Sequence, residues 1–440
     1  MRYEWTILLL LLQLTAASGA DDRYRFSPRP GWGAVQEVRL RADASGAHFR
    51  ARLRPGWDTA LLGVRVKSAA PLPWVEVRAG GVRERQYLDP GAQGLRWLNV
   101  SALSGQIGVD RRVELEAHDV AFTSGRAMLW LFSNHLDLGG PILVLAPHPD
   151  DAEIAAFGLY AGRNATVVTV TCGNAGDMTY RESIADPAAQ FRFKGWLRAV
   201  DSVTVPWQGG IPPERCFNLG YFDGRLADMR REPDAAIPEV YGPNQDTALY
   251  RRANVGRLLP VEPRSNSWRH LVEDLGAVLE KVRPAVVVAP HPLMDTHGDH
   301  DHTTVALSEA LERYPGAPSV LLYTNHAFRE AYPFGPAGSG VSLPPFPGAP
   351  LLVPSVYSHP VDPDLQRRKL YALESMHDLR LTPLEQAACG TTPAAPRRIS
   401  YPRVYENDYF RRAVRTAEIF VATDQDGLRN VVRQFLANHP

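Results

Sequence analysis

The stretch PILVLAPHPDDAEIAAFGLYAG, residues 141–162, passes from a continuous apolar run through a charged cluster into a helical pattern. Ile142–Ala146 has no polar residue to place on a solvent face, which predicts a strand buried on both sides. The charged cluster begins at the carboxyl end of this strand, and a helix is predicted over Ala152–Gly162. In open α/β sheets, ligands bind at the carboxyl ends of the strands. This stretch therefore predicts both the fold class and the place of the site.

The same order of elements continues towards the C-terminus. Further apolar runs cover Thr166–Cys172 and Ala285–Ala289, and helical patterns cover Trp268–Val282, Thr303–Arg313, Asp362–His377 and Gly427–Asn438. Apolar strands that alternate with helices predict a mostly parallel sheet that is covered by helices on both faces. We therefore predict an α/β domain over residues 141–440.

Residues 21–140 have a different pattern. Short alternating runs, among them Val35–Ala42, Leu61–Val66 and Met128–Phe132, are separated at short intervals by Gly, Pro and Asp. Many short strands with frequent turn signals predict a smaller all-β, sandwich-like domain that precedes the α/β domain. Such a domain could bind glycans or serve as a packing or spacer module, and the fold alone does not choose between these roles.

Residues 1–20, MRYEWTILLLLLQLTAASGA, have the layout of a secretory signal peptide. Arg2 precedes an apolar run over Ile7–Leu14, and Ser18 and Ala20 place small residues at the −3 and −1 positions of a cleavage site. An uncleaved membrane anchor is the alternative, although the run is short for a bilayer span. We predict a secreted or periplasmic protein with no stable membrane span after cleavage.

The composition excludes several classes of protein. The 440 residues include 48 basic and 48 acidic residues, so that the formal net charge is zero, and 45% of the residues are hydrophobic. A neutral chain offers no electrostatic reason to bind nucleic acid. The three cysteines, Cys172, Cys216 and Cys389, are too few for a disulfide framework. At about 150 residues per domain, the length predicts two or three domains.

The first charged cluster is PHPDDAE, residues 147–153. It places His148, Asp150 and Asp151 within four residues at a predicted strand end. Adjacent like charges need a cation, a proton or solvent nearby. Asp151 alone could also be a plain helix N-cap. The cluster as a whole favours a site that carries chemistry.

A second cluster, HPLMDTHGDHDH, covers residues 291–302 and follows the predicted strand at 285–289. It holds four of the thirteen histidines together with three aspartates. A solvated polar loop would explain one or two of these residues, but not the whole set at a second strand end. We therefore expect both clusters at the same edge of the sheet.

Together the clusters supply the donors of a catalytic divalent metal site. A catalytic zinc takes three protein ligands and keeps one position open for water. His148, Asp151 and His300 form such a set, with His291 and His302 as alternative ligands. Two imidazoles and one carboxylate also accept another divalent transition metal. We therefore predict Zn²⁺, with another such ion as the alternative.

The remaining groups of the clusters suit acid–base chemistry. Asp150 lies beside a ligand and is free to act as the general base that takes a proton from water. His297 precedes His300 by three residues, so both can face one cavity from a single helical turn. Asp299 or Asp295 could keep His297 protonated and oriented. That imidazole would then stabilise an oxyanion or protonate the leaving amine.

PHPDDAE at 147–153 and HGDH at 297–300 resemble the paired HPDD and HxDH signatures of the PIG-L/LmbE family of de-N-acetylases. The resemblance implies a Rossmann-like fold and a zinc-dependent hydrolase that removes acetyl from N-acetylglucosaminyl groups. Carried over residue by residue, it implies the metal ligands His148, Asp151 and His300, the base Asp150, and the electrostatic or acid group His297. This assignment agrees with the one reached from the residues.

Weaker matches extend the resemblance over most of residues 141–380. Thr171–Gly176 is similar to a TxGxxG-type loop after the second strand. Asp223, in the sequence Tyr-Phe-Asp-Gly, is similar to an aspartate in a turn near the sugar. Arg192 is implied to be a substrate-contacting arginine. The glutamate that is usual three residues after this arginine is replaced by Gly195.

The sequence thus predicts a secreted, metal-dependent enzyme that deacetylates an N-acetylglucosamine-type sugar on a glycan, glycolipid or glycosylated metabolite. The alternative is a secreted glycan-binding protein with an inactive deacetylase-like domain, but the intact set of site residues argues against it. A metallophosphoesterase is weaker, because two-metal phosphatases need bridging carboxylates from further strand ends. The isolated His326, His359 and His377 are interpreted as structural or surface residues.

Overall fold

The computed structural model describes residues 20–43, 46–51, 56–103, 112–176, 180–181, 183–259, 264–327, 331–377 and 409–439. The predicted signal peptide, apart from Ala20, and Cys389 lie outside the described residues. Two compact units are present. Unit 1 comprises Met1–His135, Ala331–Pro360 and Arg415–Ala422, and unit 2 comprises Leu136–Glu330, Val361–Val414 and Thr423–Pro440. The division at residue 140 stays a prediction, and two later segments cluster with the N-terminal unit.

The described strands are numbered in chain order. They are β1 (Tyr24–Phe26), β2 (Gly33–Arg39), β3 (Arg41–Asp43), β4 (Gly46–Arg50), β5 (Thr59–Lys67), β6 (Trp74–Ala79), β7 (Val82–Tyr87), β8 (Gln93–Asn99), β9 (Arg112–His118), β10 (Ala121–Phe122), β11 (Arg126–Phe132), β12 (Ile142–Ala146), β13 (Ala165–Thr171), β14 (Cys216–Tyr221), β15 (Val286–Pro290), β16 (Ser319–Tyr323), β17 (Leu351–Val353), β18 (Ser355–Pro360) and β19 (Ala417–Thr423). Strands β12 to β16 belong to unit 2.

The described α-helices belong to unit 2. They are α1 (Asp151–Tyr160), α2 (Pro187–Thr204), α3 (Leu226–Arg231), α4 (Ala248–Arg251), α5 (Trp268–Val282), α6 (Gly298–Leu311), α7 (Pro363–Ser375), α8 (Tyr409–Arg412) and α9 (Gln425–Asn438). Within the described ranges, every helix is too short or too polar to cross a membrane.

Unit 1 is built mainly from antiparallel sheets. In one sheet β10, β5, β11 and β2 pair in that order and β8 also pairs with β5, while a second sheet has the order β3-β4-β9-β6-β7. Buried side chains of both sheets, such as Leu62 and Leu129 from the first and Val77 and Leu115 from the second, form one hydrophobic cluster. In β9 and β11 the buried residues alternate with exposed ones, which is the period-2 pattern of strands with one buried face.

Unit 2 contains five parallel strands in the order β14-β13-β12-β15-β16. Every residue of β12 and β15 is buried, as their uninterrupted apolar sequences predict. The chain starts in the middle of this order and the direction of winding reverses between β12 and β15. Such a reversal opens a crevice at the carboxyl ends of the two strands. The mixed α/β class is confirmed, and both charged clusters follow the two central strands.

Helix α6 begins earlier than predicted. The sequence pattern predicts a helix from Thr303, whereas the helix starts at Gly298, so the end of the second cluster lies within it. His297 is the N-cap, and its ring Nδ1 accepts a hydrogen bond from the backbone N–H of Asp299. Aspartates in a first turn also interact favourably with the helix dipole. The first residues of this helix are mostly polar, so the apolar periodicity used for the prediction did not extend to its start.

Candidate metal centre

The turn between β12 and α1 fixes His148 and Asp151. The backbone N–H of His148 donates to Oδ2 of Asp151 at 2.9 Å, and Asp151 is fully buried as the first residue of α1. The N-cap is Asp150, whose side chain makes no capping hydrogen bond. The alternative in which Asp151 is the helix N-cap is therefore wrong, and both carboxylates are available for other partners.

His300 lies in the first turn of α6 and is fully buried. Its ring Nδ1 bonds to Oδ2 of Asp295 at 3.0 Å. The same carboxylate oxygen accepts a hydrogen bond from the backbone N–H of Asn325 at 2.9 Å. These contacts hold the ring so that its other nitrogen, Nε2, lies against the residues that follow β12.

Three donor atoms from the two clusters meet at one point. Oδ2 of Asp151 is 3.0 Å from Nε2 of His300 and 3.3 Å from Nδ1 of His148. The two imidazole nitrogens are also 3.3 Å apart. The three predicted ligands are thus brought together, although 152 positions separate the two histidines in sequence.

This triangle fits a divalent metal. Nitrogen and oxygen ligands that bind a tetrahedral zinc at about 2.0–2.1 Å lie about 3.3–3.4 Å from one another, close to the separations found here. Two imidazoles and a carboxylate are also donors that transition metals accept. The donor set therefore fits Zn²⁺ or a similar ion, whose identity the geometry does not select.

Further polar groups fix the orientation of each donor. Nε2 of His148 lies 3.3 Å from Oδ1 of Asp223 and 3.3 Å from Oδ2 of Asp299. The amide Nδ2 of Asn325 donates to Oδ1 of Asp151 at 2.8 Å, which leaves Oδ2 for the triangle. Carboxylates behind metal-binding histidines orient the rings and raise their basicity. This arrangement is typical of a metal site rather than of a polar loop.

The electrostatics of the cluster favour positive charge. Burial alone would lower the pKa of His300, but Asp151 and Asp295 outweigh it and raise the pKa to about 10. Burial likewise opposes the charged form of His148, yet Asp223 and its neighbours raise the pKa well above its ordinary value. The acids around the two rings thus favour protonated imidazoles when no cation is bound. A bound divalent ion would replace those protons, since ligands bind metals in their deprotonated form.

Asp150 lies beside the triangle without belonging to it. Its carboxylate is buried, and Oδ2 accepts a hydrogen bond from Nη2 of Arg198 at 3.1 Å. Burial raises the pKa of Asp150 above its ordinary value, with Arg198 opposing that shift and Asp151 adding to it. A raised pKa brings a carboxylate closer to the range in which a general base works. The placement agrees with the predicted role, which stays a prediction.

His297 lies near both histidines of the triangle. Its ring centroid is 4.6 Å from that of His148 and 5.1 Å from that of His300. Burial and the positive charge on these two rings lower the pKa of His297 to about 4. Because Nδ1 accepts the Asp299 N–H, the neutral ring carries its proton on Nε2. The expectation that an aspartate keeps this ring protonated stays a prediction.

The supporting aspartates contact other groups than expected. Asp295 bonds to the ring of His300 through Oδ2, and its Oδ1 accepts a hydrogen bond from the backbone N–H of His297 rather than from the His297 ring. Asp299 accepts the backbone N–H groups of Gly224 and Leu226 and lies against His148. Both carboxylates therefore lie against the rings of predicted ligands.

The two predicted substrate-binding residues occupy different places. Asp223 lies against the ligand His148, and its Oδ2 accepts the backbone N–H of Ala175 at 3.1 Å. Arg192 instead donates from Nε and Nη2 to Oε1 of Glu239, each at 3.0 Å. The amide of Asn174 links the two, since its Oδ1 accepts the Asp223 N–H and its Nδ2 donates to Glu239.

Arg192 lines a polar surface cleft of about 380 Å³. The other lining residues are Pro243, Asn244, Asp246, Ala248, Leu249 and Arg252. The side chain of Arg192 is 40% exposed, so a ligand could reach it in spite of the Glu239 ion pair. The cleft therefore offers charged and hydrogen-bonding groups to a polar ligand.

Glu239 compensates for the departure at Gly195. A glutamate three residues after Arg192 on a helix would lie next to the arginine, but here Glu239 from another segment is the partner. The side chains of Asn174 and Tyr250 occupy the space beside Gly195. A Cβ atom at Gly195 would lie 2.7 Å from Cβ of Asn174 and 2.8 Å from Cε1 of Tyr250. The sequence alone did not reveal this exchange of partners.

Restoring the glutamate should therefore destabilise the protein. We expect Gly195→Glu to lower the free energy of unfolding by at least about 2 kcal/mol, because the new side chain overpacks a filled site and adds a charge beside Glu239. Chemical denaturation would measure the change. Gly276→Glu is the matched control, since Gly276 is also in a helix and a Cβ there meets no atom within 4 Å. Equal stability of the two variants would contradict the prediction.

Other histidines are distributed as follows. His326, which the sequence analysis treated as isolated, lies with its ring centroid 4.6 Å from that of His300 and close to Asp151. His326 follows β16, and the apolar run of this strand was the one sequence signal that could have placed His326 at a strand end. His291 is fully buried, and burial lowers its pKa to about 4, while Nδ1 of His302 bonds to the carbonyl of Gly298. Neither alternative ligand joins the triangle.

The site contains groups that sequence reasoning missed. They are Arg198, Glu239, Asn325 and His326. Arg198 and Glu239 stand apart from both charged clusters, and the adjacent Asn325 and His326 form no motif that the sequence analysis recognised. Only His326 and Asn325 carry a weak signal, because they follow the apolar run of β16.

The amide of Asn325 provides a direct test of the site. We expect Asn325→Leu to weaken divalent metal binding by about 10–100-fold, because the Asp151 carboxylate loses the donor that orients it. Competition against a chromogenic chelator would measure the affinity. Asn430→Leu is the control, since Asn430 is an exposed asparagine of α9. Wild-type affinity of Asn325→Leu would show that Asp151 does not need this amide.

Comparison with known proteins agrees with the resemblance. Residues 143–311 match the sequence model of the PIG-L family, described as GlcNAc-PI de-N-acetylase. The predicted resemblance is thereby confirmed over this segment, which includes all the predicted ligands. None of the curated proteins compared with the chain matches it.

Two solved structures are weakly similar to the chain. The 4-carboxy-2-hydroxymuconate hydratase from Pseudomonas putida is 14% identical over 65% of this chain and 95% of its own, with a TM-score of 0.29. An acetyl xylan esterase from the rumen bacterium Butyrivibrio proteoclasticus is 12% identical over 75% of this chain and 92% of its own, with a TM-score of 0.19. TM-scores this low do not indicate a shared fold.

Proposed function

We propose that the protein is a metal-dependent hydrolase that removes the acetyl group from an N-acetylglucosamine-type sugar. The observation that carries this proposal is the triangle of His148, Asp151 and His300 with Asp150 beside it. The match of residues 143–311 to a family of deacetylases supports the reaction class. The sugar would be part of a glycan, glycolipid or glycosylated metabolite.

The triangle would hold the metal, with zinc as the first choice and another divalent transition metal as the alternative. When bound, such an ion supplies Lewis acidity to an acetyl carbonyl and lowers the pKa of water. The contacts of Asp295, Asp299 and Asn325 keep the three donors aimed at one point. Little reorganisation is then needed when the ion binds.

Asp150 would act as the general base. It is adjacent to a predicted ligand in sequence, yet its carboxylate makes no capping hydrogen bond and contacts Arg198 instead of the triangle. It accepts a proton from water as the oxygen attacks the acetyl carbon. The same proton can then pass to the nitrogen of the amine as the C–N bond breaks. General-base catalysis of this kind contributes about 10²–10⁴-fold to the rate.

His297 would stabilise the negative charge that develops on the carbonyl oxygen. Its Nδ1 is occupied by the Asp299 N–H, so the Nε2–H is the group that can donate. A neutral donor held in place by an N-cap position needs no carboxylate partner. This proposal keeps the role assigned by resemblance and names the Nε2–H as the donor.

Arg192 and Asp223 are proposed to act at the substrate side of the site. The cleft beside Arg192 would receive the part of the substrate beyond the acetylated sugar. Asp223 would combine the support of His148 with a contact to the sugar, since it lies against both the ligand ring and the Ala175 loop. Asn174 joins these two places by hydrogen bonds.

The remaining parts of the proposal concern architecture and location. The strand order of unit 2 and its reversal between β12 and β15 support a Rossmann-like arrangement. The two sheets of unit 1 that share one hydrophobic cluster support a sandwich-like accessory domain. The layout of residues 1–20 supports a secreted or periplasmic protein.

Acetate release tests the proposed function. The purified protein, loaded with Zn²⁺, is incubated with free, oligomeric and lipid-linked N-acetylglucosaminides, and acetate and free amine are measured together. Equimolar acetate and amine from at least one substrate is the expected result. A protein that binds metal and sugar but releases no acetate would instead favour the glycan-binding alternative.

A further inference from the structure

Arg198 reaches the proposed base from a neighbouring helix. It lies in α2, its side chain is only 12% exposed, and its Nη2 donates to Oδ2 of Asp150 at 3.1 Å. The same nitrogen lies 3.5 Å from the carbonyl oxygen of Pro149. The guanidinium therefore contacts the turn that carries the proposed base at two points, one of them charged.

The loop after β13 leaves room for this arginine. Gly173 has a φ of +66°, and a Cβ atom there would lie 2.3 Å from Nε of Arg198. Any larger residue would meet both a strained backbone and the guanidinium. The Thr171–Gly176 loop therefore leaves space for the Arg198 side chain. This observation is separate from the contact between Arg198 and Asp150.

A buried ion pair is an expensive way to hold a fold together. Taking both charges out of water costs several kcal/mol per ion, and apolar residues of similar volume often stabilise as well. Arg198 also lies near the carboxylates of Asp223 and Asp201, so it places a positive charge among several acids. A buried arginine at this position therefore indicates a functional role at the carboxylate that it contacts, which is that of Asp150.

We propose that Arg198 is a positioning residue that fixes the carboxylate of Asp150 for catalysis. By binding Oδ2, it leaves Oδ1 as the oxygen that accepts the proton of water. Arg198 gains and loses no proton, while the water oxygen bonds to the acetyl carbon and the C–N bond breaks. The inference rests on the proposed function, and it adds a residue that neither family signature contains.

Substitution separates this role from a structural one. We expect Arg198→Ala to lower kcat by about 10–100-fold with KM within about threefold of wild type, since only the transition state loses an interaction. Bound metal per chain should not change. Millimolar guanidinium should restore a large part of kcat, and Arg198→Lys should be intermediate, because a lysine offers charge without the planar fork. A structural loss would not respond to guanidinium.

The double variant tests whether Arg198 acts through Asp150. If it does, Asp150→Asn/Arg198→Ala should be no slower than Asp150→Asn alone, because residues that act as a unit are not additive. If Arg198→Ala lowers kcat by the same factor in the Asp150→Asn background as in the wild type, the proposal is overturned. Wild-type kcat in Arg198→Ala, or a loss matched by lost metal, would overturn it as well. Arg433→Ala, an exposed arginine of α9, is the control.

A stability cycle keeps the inference distinct from the proposed function. Thermal midpoints of the metal-free wild type, both single variants and the double variant need no substrate. A contact between the two side chains predicts that the double variant loses less than the sum of the single losses. If acetate is never released but this coupling is present, the function fails and the contact stands. If acetate is released and the coupling is absent, the positioning role fails. Arg198→Gln replaces Arg198→Ala should the latter not fold.

Discussion

Asp150→Asn should lower kcat for acetate release by about 10²–10⁴-fold while the metal stays bound. The amide has the size of the carboxylate but cannot accept the proton of water. Asp150 lies outside the triangle of donor atoms, so the loss should appear in kcat rather than in metal content. In free energy the loss corresponds to about 3–5 kcal/mol of transition-state stabilisation. Steady-state kinetics and metal analysis of the same sample would measure both effects.

Two controls make this result specific. Asp426→Asn changes an exposed aspartate of α9 in the same way and should leave the rate unchanged. Thermal midpoints would show whether Asp150→Asn still folds. Activity of Asp150→Asn within about threefold of wild type would remove Asp150 from the mechanism. Loss of metal together with activity would make it a ligand instead of a base.

His300→Ala should abolish both metal binding and acetate release. The variant removes the donor that lies 3.0 Å from Asp151 and 3.3 Å from His148, and it leaves only two ligands. Two ligands hold a catalytic zinc far more weakly than three. Activity should fall to that of chelator-treated wild type, and added Zn²⁺ should not restore it. Metal analysis after dialysis and acetate release would check the two losses separately.

The thermal midpoint gives a readout that needs no substrate. A ligand at 1,000 times its Kd stabilises the folded state by about 4 kcal/mol, so Zn²⁺ should raise the midpoint of the wild type and not that of His300→Ala. His302→Ala is the matched control from the same helix, because His302 bonds to the carbonyl of Gly298 instead of joining the triangle. Metal retained by His300→Ala and lost from His302→Ala would reverse the ligand assignment.

The metal centre could be predicted because its signals are local. An apolar strand that ends in His148–Asp151 and a second that ends before the 291–302 cluster are each visible within a dozen residues. Parallel strands share one orientation, so both ends were expected at the same edge. The structure places β12 beside β15 and brings the predicted ligands to within 3.3 Å of one another.

Partners that depend on packing could not be predicted in the same way. Asn325 reaches Asp151 across 174 positions, and Arg198 reaches Asp150 across 48, and neither belongs to a charged motif. Arg192 pairs with Glu239, 47 positions away, while Asn174 and Tyr250 fill the space beside Gly195. Contacts of this kind depend on how the interior is packed, and the hydrophobic periodicity of the sequence does not predict them.

The sequence by itself determined the α/β class of unit 2, the two segments that carry the candidate metal ligands and their resemblance to a deacetylase family, because strand burial and clustered polar residues are properties of short stretches. The tertiary structure alone decided which carboxylate supports which ring, that Nδ1 of His297 accepts the Asp299 N–H, and that Ala331–Pro360 and Arg415–Ala422 cluster with the N-terminal unit. These facts depend on distances between groups far apart in the chain, and only the packed fold sets those distances.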